Sequence, residues 1–294
     1  MTEDFGTVRS ALLYDISGAW PDRAEQPSDI GAKFLRTLDA LTAIDPLLRT
    51  WGYFDEHNAP RGVSIAALRP RFTAFVEAHM SRDDFGEPDP QSGFGIWASN
   101  LYRPYRSASN RSATVFVRAG SAWRNYCQFE IGTAYRPPDL VVVTYSLYRS
   151  VLDALISVWA PAWANVSCCV WGDDPAAASN DPSFPYSQYQ LPWLSYLCAE
   201  RAGQVAIPPG MQTERTPDGG LLMIAAETRL DPGDREQMRR SKAIAQVMIQ
   251  HGHRHPHDPL ETVAQGLQVE VPHCRLVAEL LSSRRHRAPR NIVR

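Results

Sequence analysis

Lysine is nearly missing from this chain. Lys33 and Lys242 are its only two, so almost all of its positive charge is arginine. Long apolar runs are missing as well: nothing approaches the ~18–20 consecutive apolar residues of a membrane-spanning helix. The first ten residues, MTEDFGTVRS, hold neither a basic n-region nor an apolar h-region. These absences predict a cytoplasmic chain with no membrane partner. The net charge is only −2, without the strong basic excess that marks a nucleic-acid-binding domain, so nucleic acid is not the expected partner. No phosphate-cradling glycine loop, G-x-S-x-G elbow, H-E-x-x-H or C-x-x-C occurs, and no cofactor or metal is expected. Cysteine is scarce and odd in number. Cys127, Cys168, Cys169, Cys198 and Cys274 stand mostly in apolar runs, which suits reduced, core-filling thiols rather than a disulfide framework.

What is present is an ordinary globular composition, 44% hydrophobic and 21% charged, in a chain long enough to bury roughly 70–75% of its unfolded surface. Charge is graded along it: 15 acids against 9 bases in residues 1–100, 7 against 7 in residues 101–200, and 10 against 14 in the remainder. The acidic first third suits a basic partner.

The periodicity predicts a strand over residues 7–15, bounded by turn signals at Gly18 and Pro21. Ser28 is placed to cap a helix that buries Ile30, Phe34, Leu38 and Leu41 at helical spacing and ends near Asp45 and Pro46. A second helix is expected after Ser64, burying Ile65, Leu68, Phe72, Phe75, Val76 and Met80, with Pro70 displacing its start. After Arg82 the period changes to 2, and residues 93–100, 113–118 and 126–132 read as an antiparallel meander. A third helix over residues 144–159 is stopped by Pro161. Strands follow at residues 163–171, 194–199 and 221–227, then a fourth helix capped by Asp231 with Pro232 at its first position. Strands and helices come in runs, which predicts an α+β fold: six to seven antiparallel strands with four packed helices. Residues 1–250 are expected as a single domain and residues 251–294 as a basic, His-rich extension.

Candidate chemistry is thin. His251, His253, His255 and His257 alternate, but Pro256 among them marks a solvated linker better than a metal site. Cys168 and Cys169 lie between Val166, Val170 and Trp171, the pattern of a buried strand. Two loops suit binding instead, since interfaces favour aromatic residues and arginine at their centre and charge at their rim. One holds Asp83, Asp84, Glu87 and Asp89; the other, over residues 172–192, holds Asp173, Asp174, Asp181, Phe184, Tyr186 and Tyr189. The stretch YRPYRSASNR over residues 102–111 has a similar mixture.

The segment from Trp20 to Trp51, with WPDR near its start and AKFLRTLDALTAIDPLLRTW after it, is followed by Arg82, Asp83 and Asp84 and by GFGIW ending at Trp97. Together these resemble the immunity protein 52 family of bacterial polymorphic toxin systems, over residues 8–240. WPDRAEQP departs from that family's shorter tryptophan, arginine, proline, glutamate spacing. Trp20, Trp51, Arg82, Gly95 and Trp97 carry the resemblance and are read as scaffold. The resemblance implies a non-enzymatic, cytoplasmic antidote that binds a cognate nuclease effector of restriction-endonuclease-like fold, a DNase delivered by type VI or related secretion. It implies no map of contacts, so the two loops are assigned from composition alone. The residues also leave open a small metal-dependent hydrolase or transferase using carboxylates or histidines, and a structural subunit of a secretion apparatus.

Overall fold

A computed structural model describes residues 11–55, 59–100, 110–123, 125–132, 137–171 and 190–250. In chain order their strands are β1 (Ala11–Trp20), β2 (Gly52–Asp55), β3 (Ala59–Ser64), β4 (Phe94–Ser99), β5 (Ala113–Ala119), β6 (Asn125–Ile131), β7 (Trp163–Trp171), β8 (Gln190–Leu197), β9 (Gln212–Arg215) and β10 (Leu221–Ile224). They form one antiparallel sheet in the order β3-β2-β4-β5-β6-β1-β7-β8-β10-β9. The fold is therefore α+β, as expected, but the sheet has ten strands rather than six or seven. The additions are the hairpin β2–β3 at one edge and β9 at the other.

Alternation drives the central strands. Burial along β5 repeats strictly, with Ala113, Val115, Val117 and Ala119 buried between half-buried neighbours. Register then lines these residues up across the sheet. Ala98, Val115, Phe129, Ile16 and Val166 form one continuous buried row, and Ile96, Val117, Cys127, Gly18 and Ala164 form the next. Gly18 lies within β1 and is not a turn. A Cβ there would sit 3.3 Å from the Ala164 Cβ and 3.4 Å from the Cys127 Sγ, so this row closes because the glycine has no side chain. Strand β8 starts earlier than expected and contains Pro192, which the sheet accommodates at a register shift opposite Val166 and Ser167.

The helices are α1 (Pro27–Ile44), α2 (Ile65–Leu68), α3 (Phe72–Glu77), α4 (Tyr145–Trp159), α5 (Ala199–Ala202) and α6 (Arg235–Gln250). Helix α1 buries the expected stripe, but its N-cap is Gln26 with Pro27 in the first turn, not Ser28. Helix α2 starts after Ser64 as expected, and the Ser64 side chain caps it by accepting from the Ala67 amide. Pro70 then breaks the predicted single helix into α2, a 3-10 turn at Arg69–Arg71, and α3. Thr144 caps α4. Asp231 does not cap α6: its carboxylate holds the Gly233 amide in the preceding turn, and Asp234 accepts from the Glu236 and Gln237 amides instead. Helix α4 packs on β1 and β7 and against α1; α3 packs on α1 and β4; α6 packs on β8 and β10. Cys127 and Cys168 fill the core, and burial pushes both thiols up to about 12, which makes them inert.

One cluster ties the end of β1 to α1 and α4. Trp20 stacks on Trp159 with centroids 5.2 Å apart and planes 16° from parallel. The Trp159 indole donates to the Thr37 hydroxyl at 2.9 Å. Arg23 lies over Trp20 and donates to the Trp159 carbonyl, while Lys33 lies over Trp159. Both cations converge on Glu25, whose side chain is 5% exposed. Removing the larger ring should cost most: Trp159→Ala is expected to lower unfolding free energy by about 3–5 kcal/mol, read from urea denaturation. A loss below 1 kcal/mol would contradict the cluster's structural role.

Asp15 and Glu130 face each other across β1 and β6. Burial pushes the Asp15 carboxyl up to about 7, assisted by the charge of Glu130. Glu130 rises to about 7 as well because protein crowds around it, although its side chain still reaches solvent, so Asp15 carries the clearer consequence. An acid that is harder to ionise folded than unfolded gives the native state extra protons between about pH 4 and 7; its contribution favours folding at the acid end and is lost as pH rises through 7. Asp15→Asn should therefore be more stable than the wild type at pH 8, with the gap closing towards pH 4 in matched urea titrations. A gap independent of pH would refute this.

Candidate functional site

Residues 81–93 fold back on β4 as a short hairpin. The Ser81 amide donates to the Gly93 carbonyl and the Asp89 amide to the Ser81 carbonyl, both at 2.8 Å, and Arg82 bridges to Pro88. At the tip the Asp83 amide donates to the Glu87 carbonyl and the Gly86 amide to the Asp83 carbonyl. Gly86 has φ 84°, a conformation that favours glycine. Asp83 Oδ1 accepts the amides of Phe85 and Glu87, each at 2.9 Å, and the Arg82 guanidinium donates to the Gly86 carbonyl at 2.6 Å. Asp89 also turns inward, accepting the Gln91 amide and the Ser92 hydroxyl; the hydroxyl holds its carboxyl below the usual carboxylate range.

The four acids therefore divide. Asp83 and Asp89 build the turn, whereas Asp84 and Glu87 are exposed and take no side-chain part in its hydrogen bonds. Between them projects Phe85, 92% exposed. Gly93 fixes the hairpin to the sheet: its φ is 68°, and a Cβ there would lie 2.4 Å from the Ala119 carbonyl oxygen. The Gln91 carbonyl accepts from the Ala122 amide and the Ser121 hydroxyl, which joins the hairpin to the β5–β6 turn. That turn carries Trp123, 74% exposed. Sequence reasoning missed both aromatics. Phe85 stood among the acids already assigned to binding, and an aromatic residue directly before the turn glycine was the signal that could have found it.

The other scaffold residues behave unevenly. Trp20 and Trp51 are buried, and Trp97 is half-buried with its ring 5.1 Å from Tyr53. Arg82 serves the turn. Gly95 sits against the Phe116 ring with room for a Cβ at ordinary contact distance, so Gly93 is the residue for which glycine is sterically required.

The two assigned loops attach at different ends of the strands. The acidic hairpin precedes Phe94, which pairs with Ala119, and this end of the sheet continues through Asn125, Trp20 and Trp163. The chain leaves β7 at Trp171 and returns at Gln190, at the other end of the strands. Asp173, Asp174, Asp181, Phe184, Tyr186 and Tyr189 lie outside the described residues, as do residues 102–109 and the histidines from His251 onward. Arg111, from the third aromatic stretch, pairs with Asp139. Among the described residues no three His, Cys, Asp or Glu side chains gather as metal ligands, and His79 is engaged by the Phe75 carbonyl and the Tyr53 hydroxyl. What the hairpin offers is a rigid, acidic, aromatic-tipped projection suited to contact with a basic surface.

The family model described as Immunity protein 52 matches residues 13–256. No curated protein matches the chain. Among solved structures, the chain is similar to the Pseudomonas aeruginosa T6SS protein PA0821, with 10% identity, a TM-score of 0.45, and coverage of 84% of this chain and 74% of that one.

The division of the acids is measurable by hydrogen exchange. Asp83→Ala should speed exchange of the Phe85 and Glu87 amides about tenfold or more, as expected on losing a charged acceptor, while Asp84→Ala leaves them unchanged. Equal effects from both variants would show that Asp83 does not organise the turn.

Proposed function

The chain belongs to the immunity protein 52 family, and from that membership we propose that it binds and neutralises a cognate nuclease toxin delivered by type VI or related secretion. The match across residues 13–256 is the observation that carries this role. A nuclease acts on cytoplasmic nucleic acid, so the antidote works in the cytoplasm, by occupying the toxin and without catalysis of its own. The toxin must be basic where it grips its phosphate backbone, and the exposed carboxylates of Asp84 and Glu87 are the complement. We assign the hairpin holding Asp83, Asp84, Glu87 and Asp89 as the primary contact. Residues 172–192, with Asp173, Asp174, Asp181, Phe184, Tyr186 and Tyr189, are assigned as a separate contact, because the strands set the two attachment points roughly 30 Å apart.

Two measurements test this. Co-expression with the toxin encoded by the adjacent reading frame should restore growth, and the purified pair should co-elute with about 800 Å² buried per partner; no rescue removes the antidote role. Within it, the double variant Asp84→Lys/Glu87→Lys should slow association about tenfold at low salt and flatten its salt dependence, because exposed charges steer encounter more than they hold the complex. Unchanged association kinetics would exclude the hairpin as a steering surface.

A further inference from the structure

Phe85 has no structural reason to be where it is. Fully burying such a side chain is worth roughly 1.5–3 kcal/mol, yet it stands 92% exposed on a turn made by its neighbours. The Asp83 carboxylate, the Arg82 guanidinium and Gly86 define the turn without using the ring. The backbone that carries it is fixed in advance by these bonds, which lowers the ordering cost of binding. Asp84 and Glu87 flank it, and the hairpin is hydrogen-bonded through Gln91 to the turn that carries Trp123. A central aromatic anchor with a charged rim is the form taken by residues that dominate binding energy. The exposed pair Leu140 and Val141 lies towards the other end of β6, and Asp139 beside it is held by Arg111.

We propose that Phe85 is the anchor by which this chain holds its toxin: the ring enters an apolar pocket with a basic rim, Asp84 and Glu87 meet that rim, and Trp123 covers one side. This rests on the antidote role proposed above and names its principal contact. The occupant is the toxin and not a second copy of this chain. A twofold contact through this turn would set Asp84 and Glu87 against their own equivalents, whereas a nuclease surface is basic.

The test uses the full chain and the catalytically inactivated toxin domain from the adjacent reading frame, with binding followed by biolayer interferometry. Phe85→Ala should weaken Kd at least 30-fold, mainly through faster dissociation, with no change in melting temperature; Phe85→Leu should keep most of the affinity, and Trp123→Ala should lose less than Phe85→Ala. If the wild type binds and Phe85→Ala stays within threefold of it, the anchor is overturned while the antidote role stands. If the wild type neither binds nor rescues growth, both fall. If Phe85→Ala abolishes self-association in sedimentation without altering toxin affinity, the assigned occupant is wrong.

Discussion

The stack of Trp20 on Trp159 is the contact on which the positions of the other elements depend. It joins the last residue of the central strand to the last turn of α4, and the Trp159 indole reaches α1 through Thr37. The ionic cluster above it fixes how the chain turns from β1 into α1. That turn in turn supports the end of the sheet carrying the acidic hairpin. The Asn125 side-chain Nδ2 donates to the Pro21 carbonyl, and a Cβ on Gly120 would come within 3.2 Å of the Glu25 carbonyl oxygen. The β5–β6 turn is thus pressed against the start of α1, and the hairpin is bonded to that turn. Rigidity propagates from a buried aromatic pair outward to exposed residues by short steps, each a hydrogen bond or a close backbone approach.

Acidic residues in this chain serve three separate ends, and burial decides among them. Asp15 sits where water is scarce, so its charge is costly and its carboxyl is pushed up to about 7. Asp83 and Asp89 are at the surface, where they replace water as acceptors for turn amides. Asp84 and Glu87 do neither. Isolated surface charges contribute little to stability, so the folding energetics do not account for these two, and it is the proposed recognition role that gives a reason for their position beside an exposed phenylalanine. The same charge type, read along the chain, cannot be sorted in this way without knowing which amides point at it.

Much of the fold was legible because its signals are local. The stripe Ile30, Phe34, Leu38 and Leu41, the alternation of Val115 and Val117, and the helix starts at Ser64 and Thr144 each need only a few neighbouring residues to be recognised. The failures share a different origin. Strands β2, β3 and β9 lie at or next to the sheet edges and take their identity from their pairing partners, and Pro192 stands in β8 at a register shift where β8 carries one residue more than β7. Gly18 resembled a turn because its real constraint, the approach of Ala164 and Cys127, lies 146 and 109 residues away. At the site, the acidic loop was found by composition, but its division into builders and free acids depends on hydrogen bonds that composition does not encode.

The separation of the points where the two assigned loops attach bears on how a single partner could be held. A compact interface of about 800 Å² per side is roughly 30 Å across, and the strands set the attachment points of the loops equally far apart, about 30 Å, at opposite ends of the strands. One toxin domain contacting both would have to lie along the strands and over a sheet face or an edge. One contacting the hairpin end alone would need only the tip, the β5–β6 turn and the start of α1, which are already joined to each other. The second arrangement makes use of surfaces that are rigid before binding, and it places the exposed aromatics at the centre and the free carboxylates around them. On that ground we propose the hairpin end as the principal contact; composition, which assigned both loops, does not choose between them.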